Sequence, residues 1–404
     1  MPDKDADGLT SGAILQQTLV LLDLHQDLIS LHLVQKGSNI HAPAERTAMA
    51  AYKPSYVFVL DQGSRRAPPV VDDLSSDSSD GIKALIIDHH HVDSMSDFPE
   101  GAHVVTACQS PKPIATSSLL TYLICTPLAE LVAPTCAWLA VVGTHGDLGT
   151  AFKWNPPFPD MAATLKLHTR KQLNEVVSLL NAPRRTAGYD VRSAWNTLVK
   201  CACICNNGYG TDGGGPEALV DNEFLLQARR EVNAEVERCT HAAPKFSADG
   251  RIAVLRISSP AQVHPVIATR WAGHPKSSRL EVVMVANEGY LPGMVNFSCR
   301  VAKCAKARQG TGSVDIIKVL KEVADKAEDE TLRARLGESF ARGHKEASGG
   351  VVPKEEFEEL IAVLEVGRRG GGGAGSAGGK KGASRGAGEV QNPITKYFGK
   401  KEES

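Results

Sequence analysis

The chain has 404 residues, 42% of them apolar and 23% charged, and a formal net charge of −1. That length accommodates two domains and a tail. The near-zero charge excludes a histone-like coat for nucleic acid while leaving room for a local basic groove. No run of 18 apolar residues occurs, so no transmembrane helix is expected. The first residues, MPDKDADG, are acidic where a secretory signal would be basic. Nine cysteines without framework spacing fit reduced thiols in an intracellular, non-secreted protein.

The chain opens on Asp3, Asp5 and Asp7, alternating so that an extended segment would point all three to one side. Three clustered acids repel one another unless cations neutralise them. Gly8 permits a tight turn, and Thr10 or Ser11 can cap a helix beginning near Gly12. A helical pattern then runs from Leu9 to Leu24. The apolar runs YVFVL and ALII end on Asp61 and on Asp88-His89-His90-His91, and AWLAVV leads through a glycine to Asp147. Short continuous apolar runs predict strands buried on both faces of a parallel sheet. Helical patterns between them, Leu9 to Leu24 and Ser117 to Leu131, make the alternation of an α/β domain. Such sheets bind ligands at the carboxyl ends of their strands, where these acids fall.

Asp72 to Gly81 is acidic and Ser-rich and predicts a mobile loop. Asn207 to Pro216 is turn-rich and predicts a domain boundary. Glu217 to Cys239 reads as a long charged helix. RIAVLRI, LEVVMVAN and VNFSCRVA read as strands, and Val314 to Glu328 and Lys354 to Val366 as amphipathic helices. The resulting organisation is a catalytic domain over 1–215, a connecting helix over 216–245, a smaller α/β domain over 246–366, a linker over 367–390 and a terminal peptide over 391–404. From Gly367 onward there are eight Lys/Arg against three Asp/Glu, and the glycine-rich composition predicts a flexible tether.

Carboxylates mixed with imidazole, and no thiolate, suit Mn²⁺ or Mg²⁺ better than Zn²⁺. Five or six convergent acids suggest two divalent cations, a pairing suited to phosphate displacement. CACIC (Cys201 to Cys205) lacks zinc-site spacing. Ser117 and Ser118 could bind phosphate at a helix start, and helix capping explains them equally. Trp138 and Trp271 read as packing.

DKDADGLTS, LDQG, IIDHHH and VVGTHGDLG, in that order and spacing, resemble the four motifs of the DHH phosphoesterase superfamily, most closely its RecJ-like branch of single-strand-specific nucleases. FARGHKEASGG and NFSCR resemble the glycine-histidine and serine-arginine motifs of the DHH-associated domain. The resemblance covers about residues 3–366. It implies metal binding by Asp5 and Asp7 with Asp3 assisting, a bridging role for Asp61, a ligand role for His89 and Asp147, and a ligand or orienting role for Asp88. It places His90 near the scissile phosphate and implies phosphate binding by Ser298, Arg300, Gly343 and His344. His91 and His145 have no role in it. Family members carry a buried strand before the first acidic motif, where this chain has only Met1 and Pro2, so an open slot in the sheet is expected. The oligonucleotide-binding barrel of bacterial RecJ proteins has no counterpart segment.

QNPITKYF resembles the motif by which replication and repair proteins dock on the sliding clamp (PCNA), through Gln391, Ile394, Tyr397 and Phe398. The implied protein is a nuclear, otherwise cytoplasmic, exonuclease acting on single-stranded nucleic acid and tethered to the clamp, with no membrane partner. Two alternatives stay open: a phosphoesterase for very short substrates, and a non-catalytic replication scaffold.

Overall fold

The computed structural model describes residues 1–71, 81–92, 94, 96–202, 215–275, 277–308 and 314–367. The Ser-rich stretch (72–80), the thiols Cys203 and Cys205, most of the turn-rich segment (207–214) and the clamp-motif residues Gln391, Ile394, Tyr397 and Phe398 lie outside these. The chain divides into two compact units, one from Met1 to Ala234 and one beginning at Glu235.

In the first unit, β1 (Tyr56–Leu60), β2 (Lys83–Asp88) and β3 (Ala102–Thr106) form a parallel sheet in that order. Val59, Leu60, Ile86 and Ile87 are buried, as expected of a sheet covered on both faces. Where an open slot was expected, the first three residues lie along β1. Pro2 bridges Leu60 in parallel, Leu60 N donates to Met1 O at 3.0 Å, and Asp3 N donates to Leu60 O at 2.9 Å.

Helix α1 (Ala6–Leu21) begins earlier than its sequence suggests. Asp5 is its N-cap and accepts from Gly8 N at 3.2 Å. Thr10 and Ser11 are interior: Thr10 Oγ1 donates back to Ala6 O, and Ser11 Oγ meets Thr121 Oγ1 of α2 (Ser117–Cys125) at 2.6 Å. A capping Asp satisfies an orphan amide as well as Ser or Thr would, and the cap at Asp5 starts the helix at Ala6.

The run ending near Asp147 is a helix, not a strand: α3 (Val132–Leu148). Cys136 through His145 are all buried, so this helix is apolar on every side and shows no amphipathic period. Its continuous apolar stretch is indistinguishable from that of a buried strand. It shares one core with α1, α2 and the helix Arg170–Leu180. Glu217 to Cys239 is two helices, Gly215–Val220 and α4 (Glu223–Cys239). Asn222 restarts the second by accepting from Leu225 N at 3.1 Å.

The second unit holds a six-stranded sheet, order β4-β5-β6-β7-β9-β8, from β4 (Lys245–Phe246), β5 (Ile252–Ile257), β6 (Val282–Asn287), β7 (Met294–Val301), β8 (Arg342–His344) and β9 (Ala347–Pro353). Only β5 and β6 are parallel, joined through α5 (His264–Trp271). Phe297 of β7 packs against Phe340 and Phe357, the latter from the amphipathic helix Lys354–Val363. Trp138 and Trp271 are buried. Among the described residues no helix is long and apolar enough to cross a membrane.

Candidate metal centre

The acidic residues of the first unit come together at the carboxyl ends of β1 and β2. Asp61 follows β1 with φ +63°, a left-handed conformation unusual for a residue with a side chain. Its amide donates to Ile87 O at 2.9 Å, which locks the turn between the two strand ends. Asp7 sits in the first turn of α1 and is fully buried. Its two oxygens accept from Ser118 N at 3.0 Å and Ser117 N at 2.8 Å, the free amides at the start of α2. So these serines hold a carboxylate of the chain itself rather than a phosphate. Gly8 brings the acidic turn close: a Cβ there would lie 2.6 Å from Asp3 O. Asp3, Asp5 and Asp7 are therefore not alternate residues of an extended segment; a turn and a helix start gather them.

His89 Nε2 lies 2.8 Å from Asp147 Oδ2, 3.3 Å from Asp61 Oδ1 and 3.8 Å from Asp7 Oδ2. Donor atoms of Asp7, Asp61, His89 and Asp147 all fall within 4.8 Å of one another. So do those of Asp61, Asp88 and His90, and those of Asp3, Asp5 and Asp61. Asp61 belongs to all three groups. Three of the first four residues are buried, and Asp147, in the last turn of α3, is the exposed one.

Asp88 orients its neighbours. Oδ1 accepts from His89 N at 2.8 Å and from His90 N at 3.3 Å, and meets His90 Nδ1 at 2.7 Å. Oδ2 accepts from Ser64 N at 3.0 Å and Ser64 Oγ at 2.6 Å. Ser117 Oγ donates to Asp61 Oδ1 at 3.0 Å.

These contacts spread the acidities apart. Burial, reinforced by Asp7 and Asp5, raises the Asp61 carboxyl well above its ordinary range. Burial and then Asp147 raise Asp7 to about 6. For Asp88, burial pushes upward, but the charge of His90 prevails and holds the group well below the usual carboxylate range. His90 is the counterpart: burial would lower it, and Asp88 raises it to about 10. For His89, burial pulls downward, and the hydrogen bond to Asp147 with the charge of Asp7 raises it nonetheless. At Asp5 burial pushes upward, and Arg184, whose guanidinium lies 3.6 Å away, brings the carboxyl down.

A cluster in which buried carboxylates retain protons is short of positive charge. Oxygen donors with one imidazole and no thiolate suit a hard divalent cation, so the residues present fit Mn²⁺ or Mg²⁺.

Several of these supports had no signal in the sequence. Ser64 and Arg184 carried none. Gly143 stood inside a quoted motif without a role, yet a Cβ there would come within 2.6 Å of Asp7 Oδ1. His145 is buried packing: its ring nitrogens engage Asn174 Oδ1 at 2.8 Å and Trp154 Nε1 at 3.2 Å. His91 is exposed.

Ser298, Arg300, Gly343 and His344 belong to the second unit. Arg300 Nη1 donates to Ser298 Oγ and Cys299 O, both at 2.9 Å. Its guanidinium has no carboxylate partner among the described residues, and burial lowers its pKa below the ordinary value. Arg300 pairs in register with Ala347 of β9, and Ala347 with His344 of β8. Gly343 has φ +106°, and a Cβ there would lie 2.7 Å from Ala347 O.

Residues 1–144 match the DHH family, N-terminal domain. No curated protein matches the chain. Among solved structures, a DHH-domain protein described as a member of the s1p family of ribosomal proteins is similar with TM-score 0.61 and 14% identity. The match covers 91% of this chain and 86% of that one. RecJ of Thermus thermophilus in complex with Mn²⁺ is similar with TM-score 0.55 and 20% identity, over 90% of this chain and 50% of RecJ. The same RecJ with Mg²⁺ gives 0.50 and 17%, over 90% and 48%. The chain thus spans about half the length of RecJ. Residues 1–144 thus match a DHH-family N-terminal domain, the chain shares its fold with these DHH-domain and RecJ structures, and it carries an acidic cluster able to hold metal.

Proposed function

We propose that this chain is a metal-dependent phosphodiesterase, a single-strand-specific exonuclease of replication or repair that uses two divalent cations. The observation that carries the reading is the convergence of Asp7, Asp61, His89 and Asp147 within 4.8 Å, with Asp61 shared by two further groups. Asp7, Asp61, His89 and Asp147 would hold one cation, and Asp61 with Asp3 and Asp5 would face a second. Mn²⁺ and Mg²⁺, the ions named with the RecJ structures, suit these donors.

When bound, the cations supply Lewis acidity toward a phosphoryl oxygen. Asp88 fixes His89 and His90 through their amides and the His90 ring. His90, charged at neutral pH, supplies a cation for phosphate. Arg300, a guanidinium with no carboxylate partner among the described residues, offers a forked grip on a phosphate with Ser298, Gly343 and His344. Intact acids disfavour a scaffold that has lost chemistry. The terminal residues Gln391, Ile394, Tyr397 and Phe398 would dock on the sliding clamp, which would place the protein in the nucleus.

Digestion of end-labelled single strands, DNA and RNA, with Mn²⁺, Mg²⁺ or chelator tests this. A length ladder separates the readings: cleavage confined to dimers and trimers would favour the small-substrate alternative. Unchanged cleavage by Asp88→Ala would reject both.

A further inference from the structure

The second unit holds a groove of about 410 Å³ lined by Asp249, Arg251, Ser278, Arg279, Glu281 and Arg308. Its walls are the turn ahead of β5, the loop ahead of β6 and the end of the short helix Lys303–Arg308. Asp249, Ser278, Arg279 and Arg308 are exposed, so solutes reach it. Three guanidiniums face two carboxylates. Lys326 near Asp249 and Glu322 near Arg251 add one charge of each sign and leave that balance unchanged.

Both carboxylates are already employed. Asp249 Oδ1 closes a turn, accepting from Arg251 N at 2.9 Å and Ser247 Oγ at 2.6 Å. Glu281 Oε2 accepts from Arg251 Nε at 3.0 Å and Nη2 at 2.7 Å. The other two arginines have no carboxylate partner among the described residues. Arg308 donates to backbone carbonyls, Nη1 to Ser277 O and Nη2 to Leu280 O, both at 2.6 Å. These bonds aim its fork without neutralising it. The Arg279 stem lies over Gly250, whose φ of +74° shapes the turn, and a Cβ at Gly250 would stand 3.6 Å from Arg279 Cβ and Cδ. Its backbone amide donates to Ser277 Oγ, and its guanidinium has no polar partner among the described residues. Two unneutralised forks in a concave site select an anion, and their planar donors match phosphate.

We propose that this groove is a second phosphate-binding site, where Arg279 and Arg308 hold the sugar-phosphate backbone of a single strand at a distance from the phosphate gripped by Arg300. This rests on the phosphodiesterase reading above. Arg300 of β7 stands opposite Val283 of β6. Arg251 and Glu281 each precede a paired residue, Ile252 and Val282, so they lie on the Val283 side of the sheet. Two strand spacings and two residues of rise put the Arg251 backbone about 12 Å from that of Arg300. A few nucleotides span that interval. Basic grooves that track a strand's backbone in this way bind it without reading its bases.

The test is Arg279→Ala, which removes an exposed guanidinium that holds nothing else in place. KM and kcat with Mn²⁺ are measured across a salt series for dinucleotides and for strands longer than about 16 nucleotides. The expected result is an unchanged melting temperature, a long-strand KM raised about 3- to 10-fold and an unchanged kcat. The slope of log KM against log salt should fall by about 0.7, one single-strand phosphate contact. DNA and RNA should be affected equally, and Arg279→Lys should restore the slope. Dinucleotides, too short to span from Arg300 to the groove, should show no change of slope. Arg279→Glu should weaken long strands further. Long-strand KM and slope equal to the parent in both Arg279→Ala and Arg279→Glu overturn the proposal. So does an equal effect on dinucleotides, which would act through the catalytic centre. A change confined to inhibition by inorganic phosphate marks a site for a free anion and also overturns it. A parent that cleaves only dimers and trimers overturns this inference alone. A parent that cleaves nothing of any length overturns the phosphodiesterase reading together with it.

Discussion

Gly143 of α3 lies so close to Asp7 of α1 that a Cβ at Gly143 would stand 2.6 Å from the Asp7 carboxylate. The same Cβ would also collide with Ser118, whose amide holds that carboxylate. Gly143→Ala is thus expected to push apart the helix starts that fix Asp7. Overpacking of this kind costs roughly 1–3 kcal/mol. A lower melting temperature and weaker Mn²⁺ binding by calorimetry are the expected outcomes. An unchanged Mn²⁺ affinity would show that Asp7 does not depend on this approach.

Asp88 accepts from three backbone amides, those of Ser64, His89 and His90, and from the Ser64 hydroxyl, while engaging the His90 ring. Asp88→Asn retains the shape and removes the charge that keeps His90 protonated. Partners of this kind typically change metal affinity or activity by about 10- to 100-fold. The pH–rate profile should change with it, because His90 would lose its proton well below its present value of about 10. Kinetics from neutral to mildly alkaline pH would check both effects.

Proton release from the metal centre gives a stability signature. Asp7 has a raised carboxyl, about 6 against an ordinary 3.8. Between these values the folded state binds more protons than the unfolded one, so this group lowers stability as pH rises through the window. Asp61 acts in the same direction. A divalent cation replaces those protons, so its stabilising effect should grow with pH. The melting-temperature rise on adding Mn²⁺ is expected to be small at about pH 5 and larger at about pH 7. Chelator should abolish it. Equal shifts at both pH values would contradict this.

Arg300 is a guanidinium in a largely buried setting that donates only to Ser298 Oγ and Cys299 O among the described residues. Arg300→Lys keeps the charge and loses the planar fork. Under the phosphodiesterase reading, KM for an oligonucleotide should rise about tenfold or more while Mn²⁺ binding stays as in the parent. A variant with unchanged KM would remove Arg300 from the phosphate contacts.

The terminal peptide should separate from the chemistry. Under the exonuclease and clamp readings, a chain ending at Gly367 is expected to digest single strands at the parent rate and to lose capture by immobilised sliding clamp. Phe398→Ala in the full chain should lose capture equally. Capture that survives both changes would discard the clamp reading.

Much of this centre is written in local sequence. Asp61 and Asp88 end short apolar runs, and the strands β1 and β2 deliver them where such runs predict. The triple histidine marks the same place. Asp147 was equally visible, but its carrier was not. A run such as AWLAVV is apolar on every face whether it is a central strand or a central helix, and periodicity does not separate the two. The supports of the acids are contacts across long separations: Ser117 and Ser118 reach Asp7 over 110 and 111 residues. Nothing near Ser117 announces that its amide will meet a carboxylate from the first turn of α1.

The positive φ of Asp61 bears on how its carboxylate should be probed. Left-handed backbone is tolerated by glycine and, less readily, by asparagine and aspartate, whereas alanine is strained there by about 1 kcal/mol. An alanine scan would therefore merge two losses, the charge and a distorted corner between neighbouring strands. Asparagine keeps the corner and the outline and removes only the charge, which makes it the cleaner substitution for isolating electrostatics at the residue these three donor groups share.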